Sequence, residues 1–220
     1  MTLHAGAAVG LALVGVPVGA VLNTVIEREG HRARREVVVM PVTAAVFALL
    51  GARYGDSSAV FPLLILGACL VAVSAVDLEH LRIPDRITFP SLAVAVPAVV
   101  LVSVHLDANG AIRGALVGSV AYFLMLLVPH LVYPKGMGFG DVKLALVMGL
   151  YLGWVGWTGA APVAGPIRLV LYALMLGCLL GVVFGLVHAA VTRRRGEFPF
   201  GPALAVACLV VVFYAPDLRI

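Results

Sequence analysis

The sequence predicts an all-α protein built as a polytopic membrane helix bundle. Of its 220 residues, 62% are hydrophobic and 12% are charged, roughly half the charged fraction of an ordinary soluble domain. A membrane-spanning helix needs about 20 apolar residues, and eight stretches approach that length. These stretches lack the alternation of barrel strands, and helices satisfy their own backbone hydrogen bonds in lipid. We therefore predict one integral-membrane domain over residues 1–220 with about eight transmembrane helices.

The apolar stretches follow one another with short connections. They are Ala5–Ile26, Val37–Ala52, Ala59–Val76, Ile87–Val104, Ala115–Val132, Val142–Gly159, Leu169–Val191 and Phe198–Pro216. Basic residues follow the first stretch and do not precede it, so we expect a retained helix and not a cleaved signal peptide. Glycines four residues apart predict helix-packing surfaces. Among them are Gly15 and Gly19 in the first stretch and Gly177, Gly181 and Gly185 in the seventh.

The basic residues predict the orientation of the chain, because positive charge prefers cytoplasmic loops. With eight spans and the N-terminus outside, eleven of the fifteen Lys and Arg residues fall inside and four fall outside. The opposite orientation reverses this bias. The net charge of +4 is thus a topology signal. No basic patch carries interleaved aromatic residues of the kind that stack bases, so we expect membrane lipid and no nucleic acid as a partner.

Two carboxylates stand at the ends of apolar stretches, where ionisable groups are costly unless paired, solvated or functional. Asp77 follows the third stretch, and Asp141 precedes the sixth, within the sequence GFGDVK. The predicted orientation places both on the cytoplasmic side. If they meet, they cannot both ionise cheaply, so one keeps its proton and the pair can polarise a carbonyl and activate water. We interpret Asp77 and Asp141 as a candidate catalytic pair. Alternatively, Asp141 caps a helix and Asp77 pairs with Arg82.

Residues near Asp141 are candidates for supporting roles. Gly138 and Gly140 allow close approach of the backbone, either to a neighbouring helix or to an extended peptide. Lys143 could bias the aspartate pair toward ionisation, although residues two positions apart do not face each other on a helix. The alternating glycines are not a dinucleotide-binding fingerprint, because no strand precedes them.

The segment after Asp77 contains further candidates. Pro84 fixes a turn, and we favour Asp85 as the cap of the fourth helix over a catalytic role. Glu79 and Asp85 are acidic groups that could attract a basic substrate segment. The chain has three cysteines, without a CxxC pair, and no metal-ligand spacing is visible, so we expect neither a metal nor a cofactor.

Four motifs, in order along the chain, resemble those of the prepilin peptidases, or type IV leader peptidases. The third also occurs in the presenilin-like GxGD proteases. They are Gly19–Asn23 with Glu27–Arg28, Val76–Leu78 through Ile83–Asp85, Gly138–Leu144, and Pro199–Pro202 with Ala203–Ala205. The resemblance implies an aspartic endopeptidase with Asp77 and Asp141 as its catalytic pair. It implies removal of short basic leaders from type IV prepilins or pseudopilins at the cytoplasmic face of the bacterial inner membrane.

The chain departs from the bifunctional members of that family, which carry a long cytoplasmic loop with paired CxxC motifs and methylate the new N-terminus using S-adenosylmethionine. Here the corresponding loop is residues 27–36 and has no cysteine, so the resemblance is to a short, peptidase-only form. Two other functions stay open. A proton-coupled carrier could use the same carboxylates, and it predicts carboxylates deep within spans and helices broken at mid-depth. An inactive scaffold for pilus assembly is the other.

Overall fold

The computed structural model describes residues 4–27, 36–134, 137–192 and 199–215, in which every regular element is a helix. The predicted all-α fold is confirmed. The helices are α1 (Ala5–Glu27), α2 (Glu36–Tyr54), α3 (Val60–His80), α4 (Asp85–His105), α5 (Asn109–Val132), α6 (Phe139–Gly156), α7 (Ala164–Thr192) and α8 (Gly201–Tyr214). Six are long and apolar enough to cross a membrane, whereas the apolar segments Val38–Tyr54 and Gly201–Tyr214 are shorter. The chain is a multi-pass membrane protein.

Several helices begin or end beyond the apolar stretches that predict them. Helix α3 continues past Asp77 to His80, α4 begins at Asp85, and α5 begins at Asn109 and not at Ala115. An apolar stretch marks only the part of a helix compatible with lipid, and terminal turns can continue into polar sequence. Asp77 therefore lies one turn inside its helix and does not end it.

Helices α3 and α6 form the centre of the bundle. In their apolar windows, 67% and 78% of the residues are buried, against 28% or less in the other four long helices. Trp154 of α6 is fully buried, and its indole N–H donates to the hydroxyl of Ser103 in α4 over 2.8 Å. The two most enclosed helices are those that carry Asp77 and Asp141, so the bundle shields both carboxylates from solvent.

Glycines bring neighbouring helices into backbone contact. A Cβ on Gly118 of α5 would lie 2.5 Å from the Cα of Gly153 in α6. Nearby, the Ser119 hydroxyl donates to the carbonyl of Leu146 over 2.9 Å. The predicted packing surfaces are confirmed at Gly15 and Gly19, which face α2, and at Gly177 and Gly181, which face α8.

Contacts between helix ends show that consecutive helices alternate in direction, so α1, α3, α5 and α7 end where α2, α4, α6 and α8 begin. Asp77 and Asp141 lie at this end. At the opposite end, Arg53 is buried and donates to the carbonyls of Phe213 and Ala215, each over 3.1 Å. A guanidinium there satisfies carbonyls at the end of α8 and complements the negative end of its dipole. This contact anchors α8, whose first turn reaches Asp77.

Candidate active site

Asp77 is held in the last turn of α3. It is 5% exposed, and its backbone carbonyl accepts the N–H of Leu81, which closes the helix over 2.9 Å. Leu81 has a φ of 52°, the left-handed conformation that commonly ends a helix. One carboxylate oxygen of Asp77, Oδ2, accepts a hydrogen bond of 2.9 Å from the backbone N–H of Gly201.

Gly201 is a site residue that side-chain reasoning missed. It is the first residue of α8, so its N–H belongs to the positive end of that helix, which favours an anion. A Cβ at this position would lie 2.8 Å from Asp77 Oδ2 and 3.2 Å from Asp77 Cγ. Only glycine fits without movement of the carboxylate or the helix. In the sequence, the motif Pro199–Pro202 marks the start of α8, but it does not reveal that Asp77 is the partner of Gly201.

Asp141 lies in the first turn of α6 and is 8% exposed. The N-cap is Gly138, so the alternative in which Asp141 itself caps the helix is wrong. The Asp141 carboxyl instead lies close to the N-cap residue, since a Cβ on Gly138 would lie 3.5 Å from Asp141 Oδ2. The backbone N–H of Asp141 donates to the carbonyl of Gly138 over 3.1 Å, which places the carboxyl group at the helix start.

The fold brings Asp77 and Asp141 to the same end of the two central helices. Helices α3 and α6 contact each other, with Asp77 in the last turn of α3 and Asp141 in the first turn of α6. Two buried carboxylates that lie close together repel each other when both are ionised, so holding one proton between them lowers their energy. The alternative prediction, in which Asp77 pairs with Arg82, is wrong, because these two described residues form no ion pair.

Lys143 and Asp85 contact each other, and Asp85 does not take its expected capping role. The Lys143 ammonium donates to both carboxylate oxygens of Asp85, over 2.6 and 2.8 Å. The N-cap of α4 is Pro84, and no side chain makes a capping hydrogen bond there, so the predicted capping role of Asp85 is wrong. The ammonium of Lys143 is committed to Asp85 because the starts of α4 and α6 lie side by side.

A cleft of about 730 Å³ lies at the aspartate end of the bundle. Its lining comes from the end of α3, the connection to α4 and the first turn of α4, namely Val76, His80, Arg82, Ile83, Pro84, Asp85 and Arg86. Gly140 borders this connection, since a Cβ on it would lie 2.8 Å from Ile83 Cβ. Glu79 is exposed on the last turn of α3. Among the described residues, no three His, Cys, Asp or Glu side chains form a group that could hold a metal ion.

These features define a class, namely a multi-pass helical membrane protein with two buried carboxylates at one end of its bundle. A sequence profile of the type IV leader peptidase family matches residues 64–186, a range that includes both aspartates and more than half of the chain. The chain belongs to the type IV leader peptidase family.

Several curated proteins are similar to this chain. A prepilin leader peptidase/N-methyltransferase of Xanthomonas campestris is 32% identical over 167 residues, which are 76% of this chain and 54% of that protein. The protein of the same name from Bacillus subtilis is 31% identical over 182 residues, 80% of this chain and 65% of its own length. A type 4 prepilin-like proteins leader peptide-processing enzyme of Escherichia coli is 30% identical over 183 residues, 82% of this chain and 62% of its own.

The matched part of the chain therefore spans between about half and two thirds of the length of these relatives. No solved structure matches the chain.

Proposed function

We propose that this chain is a membrane aspartic endopeptidase that removes leader peptides from type IV prepilins or pseudopilins. The observation that carries the proposal is the burial of Asp77 and Asp141 at one end of α3 and α6, two central helices that contact each other. Membership of the type IV leader peptidase family and the names of the similar proteins support the same activity. In this proposal, residues 1–220 act as a single peptidase domain.

The proposed chemistry needs one proton between the two carboxyl groups. The protonated carboxyl donates to the carbonyl oxygen of the scissile peptide, while the ionised carboxylate takes a proton from water as that water attacks the carbonyl carbon. The tetrahedral intermediate then collapses, and the proton held by the base passes to the leaving amine. Gly201 holds the Asp77 carboxylate for this step through its backbone N–H.

The proposed site of action is the cytoplasmic face of the bacterial inner membrane. The distribution of Lys and Arg, eleven inside and four outside in the predicted orientation, supports placing the aspartate end in the cytoplasm. The similar proteins are bacterial. Two of them are also named N-methyltransferases. For this chain we propose the peptidase step alone, because the loop at residues 27–36 has no cysteine; residues 28–35 lie outside the described part of the structure.

We propose Glu79 as the acidic group that attracts a basic leader. Glu79 is exposed in the last turn of α3, two residues after Asp77. Changing Glu79→Lys is expected to weaken binding of a basic leader peptide, and the effect should shrink at high salt. Unchanged affinity would remove Glu79 from the substrate site.

The carrier alternative is not favoured by any observation. It predicts helices broken at mid-depth, whereas α3 and α6 are continuous and their aspartates lie within about one turn of a helix end. Replacing either aspartate by asparagine, which has nearly the same shape, distinguishes an active peptidase from an inactive scaffold.

Co-expression with a candidate prepilin tests the peptidase. Asp77→Asn and Asp141→Asn keep the side-chain shape but remove the ionisable group, so each should lower the rate of leader removal by roughly 10²–10⁴-fold. The matched control is Asp107→Asn, an exposed aspartate at the opposite end of the bundle. Its rate should stay at the level of the original chain. Normal processing by a well-inserted Asp77→Asn or Asp141→Asn variant would show that the residue is not catalytic.

A further inference from the structure

We propose that Lys143 and Asp85 form a clamp that sets the separation of Asp77 and Asp141. The ammonium binds both oxygens of the Asp85 carboxylate. Asp85 opens α4, just beyond the connection that follows Asp77, and Lys143 lies in α6 two residues after Asp141. The ion pair thus ties the segment that carries one aspartate to the segment that carries the other.

The surroundings of the ammonium hold it in place. Its Nζ atom lies 5.0 Å from the ring centre of Phe139 and 5.7 Å from that of Phe89, within the range of cation–π attraction. The Lys143 side chain is 20% exposed and that of Asp85 is 54% exposed. Lys143 is therefore ordered by a carboxylate and two aromatic rings, one of them from its own helix and one from α4.

A second contact acts at the same junction. Gly140, adjacent to Asp141, lies so close to Ile83 that a Cβ would come within 2.8 Å of the Ile83 Cβ and 3.3 Å of its backbone N and O atoms. This packing places the start of α6 in direct contact with the connection between α3 and α4. Packing alone leaves the two surfaces able to slide, whereas the ion pair fixes their register. Lys143 and Asp85 are therefore positioning residues, because they act on the reaction through the aspartates.

This inference uses the proposed function for its kinetic test. Lys143→Met, Asp85→Asn and the double variant should each lower kcat for leader removal by about tenfold or more, since misplacement of catalytic groups by about 1 Å has effects of that order. KM should change little. The three effects should be equal, because removing either partner breaks the same clamp. Lys143→Arg, which keeps the ion pair, should restore most of kcat.

The matched control is the ion pair of His4 and Asp56 at the opposite end of the bundle, 3.3 Å apart. Asp56→Asn should leave kcat unchanged. If the single effects add in the double variant, or if Lys143→Met retains full kcat, the clamp is excluded.

A second readout does not depend on peptidase activity. In a chain whose native cysteines are replaced by alanine, Asp77→Cys and Asp141→Cys can be linked by a methylene-bridged bis-methanethiosulfonate, and the rate reports the separation of the two positions. Adding Lys143→Met should slow this cross-linking, while adding Asp56→Asn should not. An unchanged rate would overturn the clamp even if prepilin cleavage is confirmed. A slowed rate in a chain that cleaves no prepilin would keep the clamp and reject the proposed function.

Discussion

Gly201 contributes to the site through its backbone and through its lack of a side chain. Its N–H donates to Asp77 Oδ2 over 2.9 Å, and the space that a Cβ would need is already filled by the Asp77 carboxyl group. A hydrogen bond from the first turn of a helix holds an anion in a defined direction. Gly201 therefore orients the carboxylate of Asp77.

Gly201→Ala is expected to lower the rate of leader removal by about tenfold to a hundredfold. The added Cβ forces apart the carboxylate and α8, and if Asp77 acts as proposed, a displacement of this size takes it out of its productive geometry. The rate is measured with a prepilin in membranes that contain equal amounts of each variant. Gly159→Ala is the control, because a Cβ on Gly159 meets nothing within 4 Å. Equal rates for both alanine variants would show that the Gly201 contact is dispensable.

The residues of the site differ in whether the sequence alone reveals them. Asp77 and Asp141 stand out because a carboxylate beside an apolar stretch is costly and visible. Gly201 acts through a backbone N–H, which every residue except proline possesses, so composition cannot single it out. Asp85 and Lys143 are 58 residues apart, and one sequence does not show that the starts of α4 and α6 are neighbours.

At the scale of the elements, glycine determines how closely α5 and α6 approach. The backbones of Gly118 and Gly153 occupy the positions where side chains would otherwise separate the helices. The four-residue glycine spacing of the first and seventh stretches recurs at Gly114 and Gly118 and at Gly149 and Gly153, but one sequence does not show that these two surfaces face each other. Hydropathy predicts that each helix exists. It does not predict that α4 begins at Asp85 or that α5 begins at Asn109, because polar residues can continue a helix beyond its apolar stretch.

Gly118→Val is expected to destabilise the bundle by about 1–3 kcal/mol or more, the usual effect of forcing extra atoms into a filled interface. The atoms in its way are the backbone of Gly153, which cannot rotate aside as a side chain can. Thermal unfolding in detergent, followed by circular dichroism, measures the change. Gly10→Val, on an exposed position of α1 with nothing within 4 Å of the added Cβ, should have little effect. Comparable unfolding temperatures for both would contradict the close approach of α5 and α6.

At the scale of the whole molecule, alternating helix directions gather all the functional candidates at one end. Asp77, Asp141, Lys143 and Gly201 come from the end of one helix and the starts of two others. The opposite end holds Arg53 against the carbonyls of α8. The orientation of this arrangement in a membrane is a prediction from the Lys and Arg distribution, and it decides whether the aspartates can meet a substrate before or after that substrate leaves the cytoplasm.

Cysteine accessibility tests the orientation directly. In a chain with Cys178→Ala, which removes the exposed native thiol, Ala160→Cys marks the end away from the aspartates and Tyr133→Cys marks the aspartate end. Both positions are exposed. A membrane-impermeant maleimide added to intact spheroplasts should label Ala160→Cys at once, and Tyr133→Cys only after permeabilisation, because only the first faces outward in the predicted orientation. The reverse pattern would place Asp77 and Asp141 outside the cell, where they could act only on exported chains, and leader removal at the cytoplasmic face would be excluded.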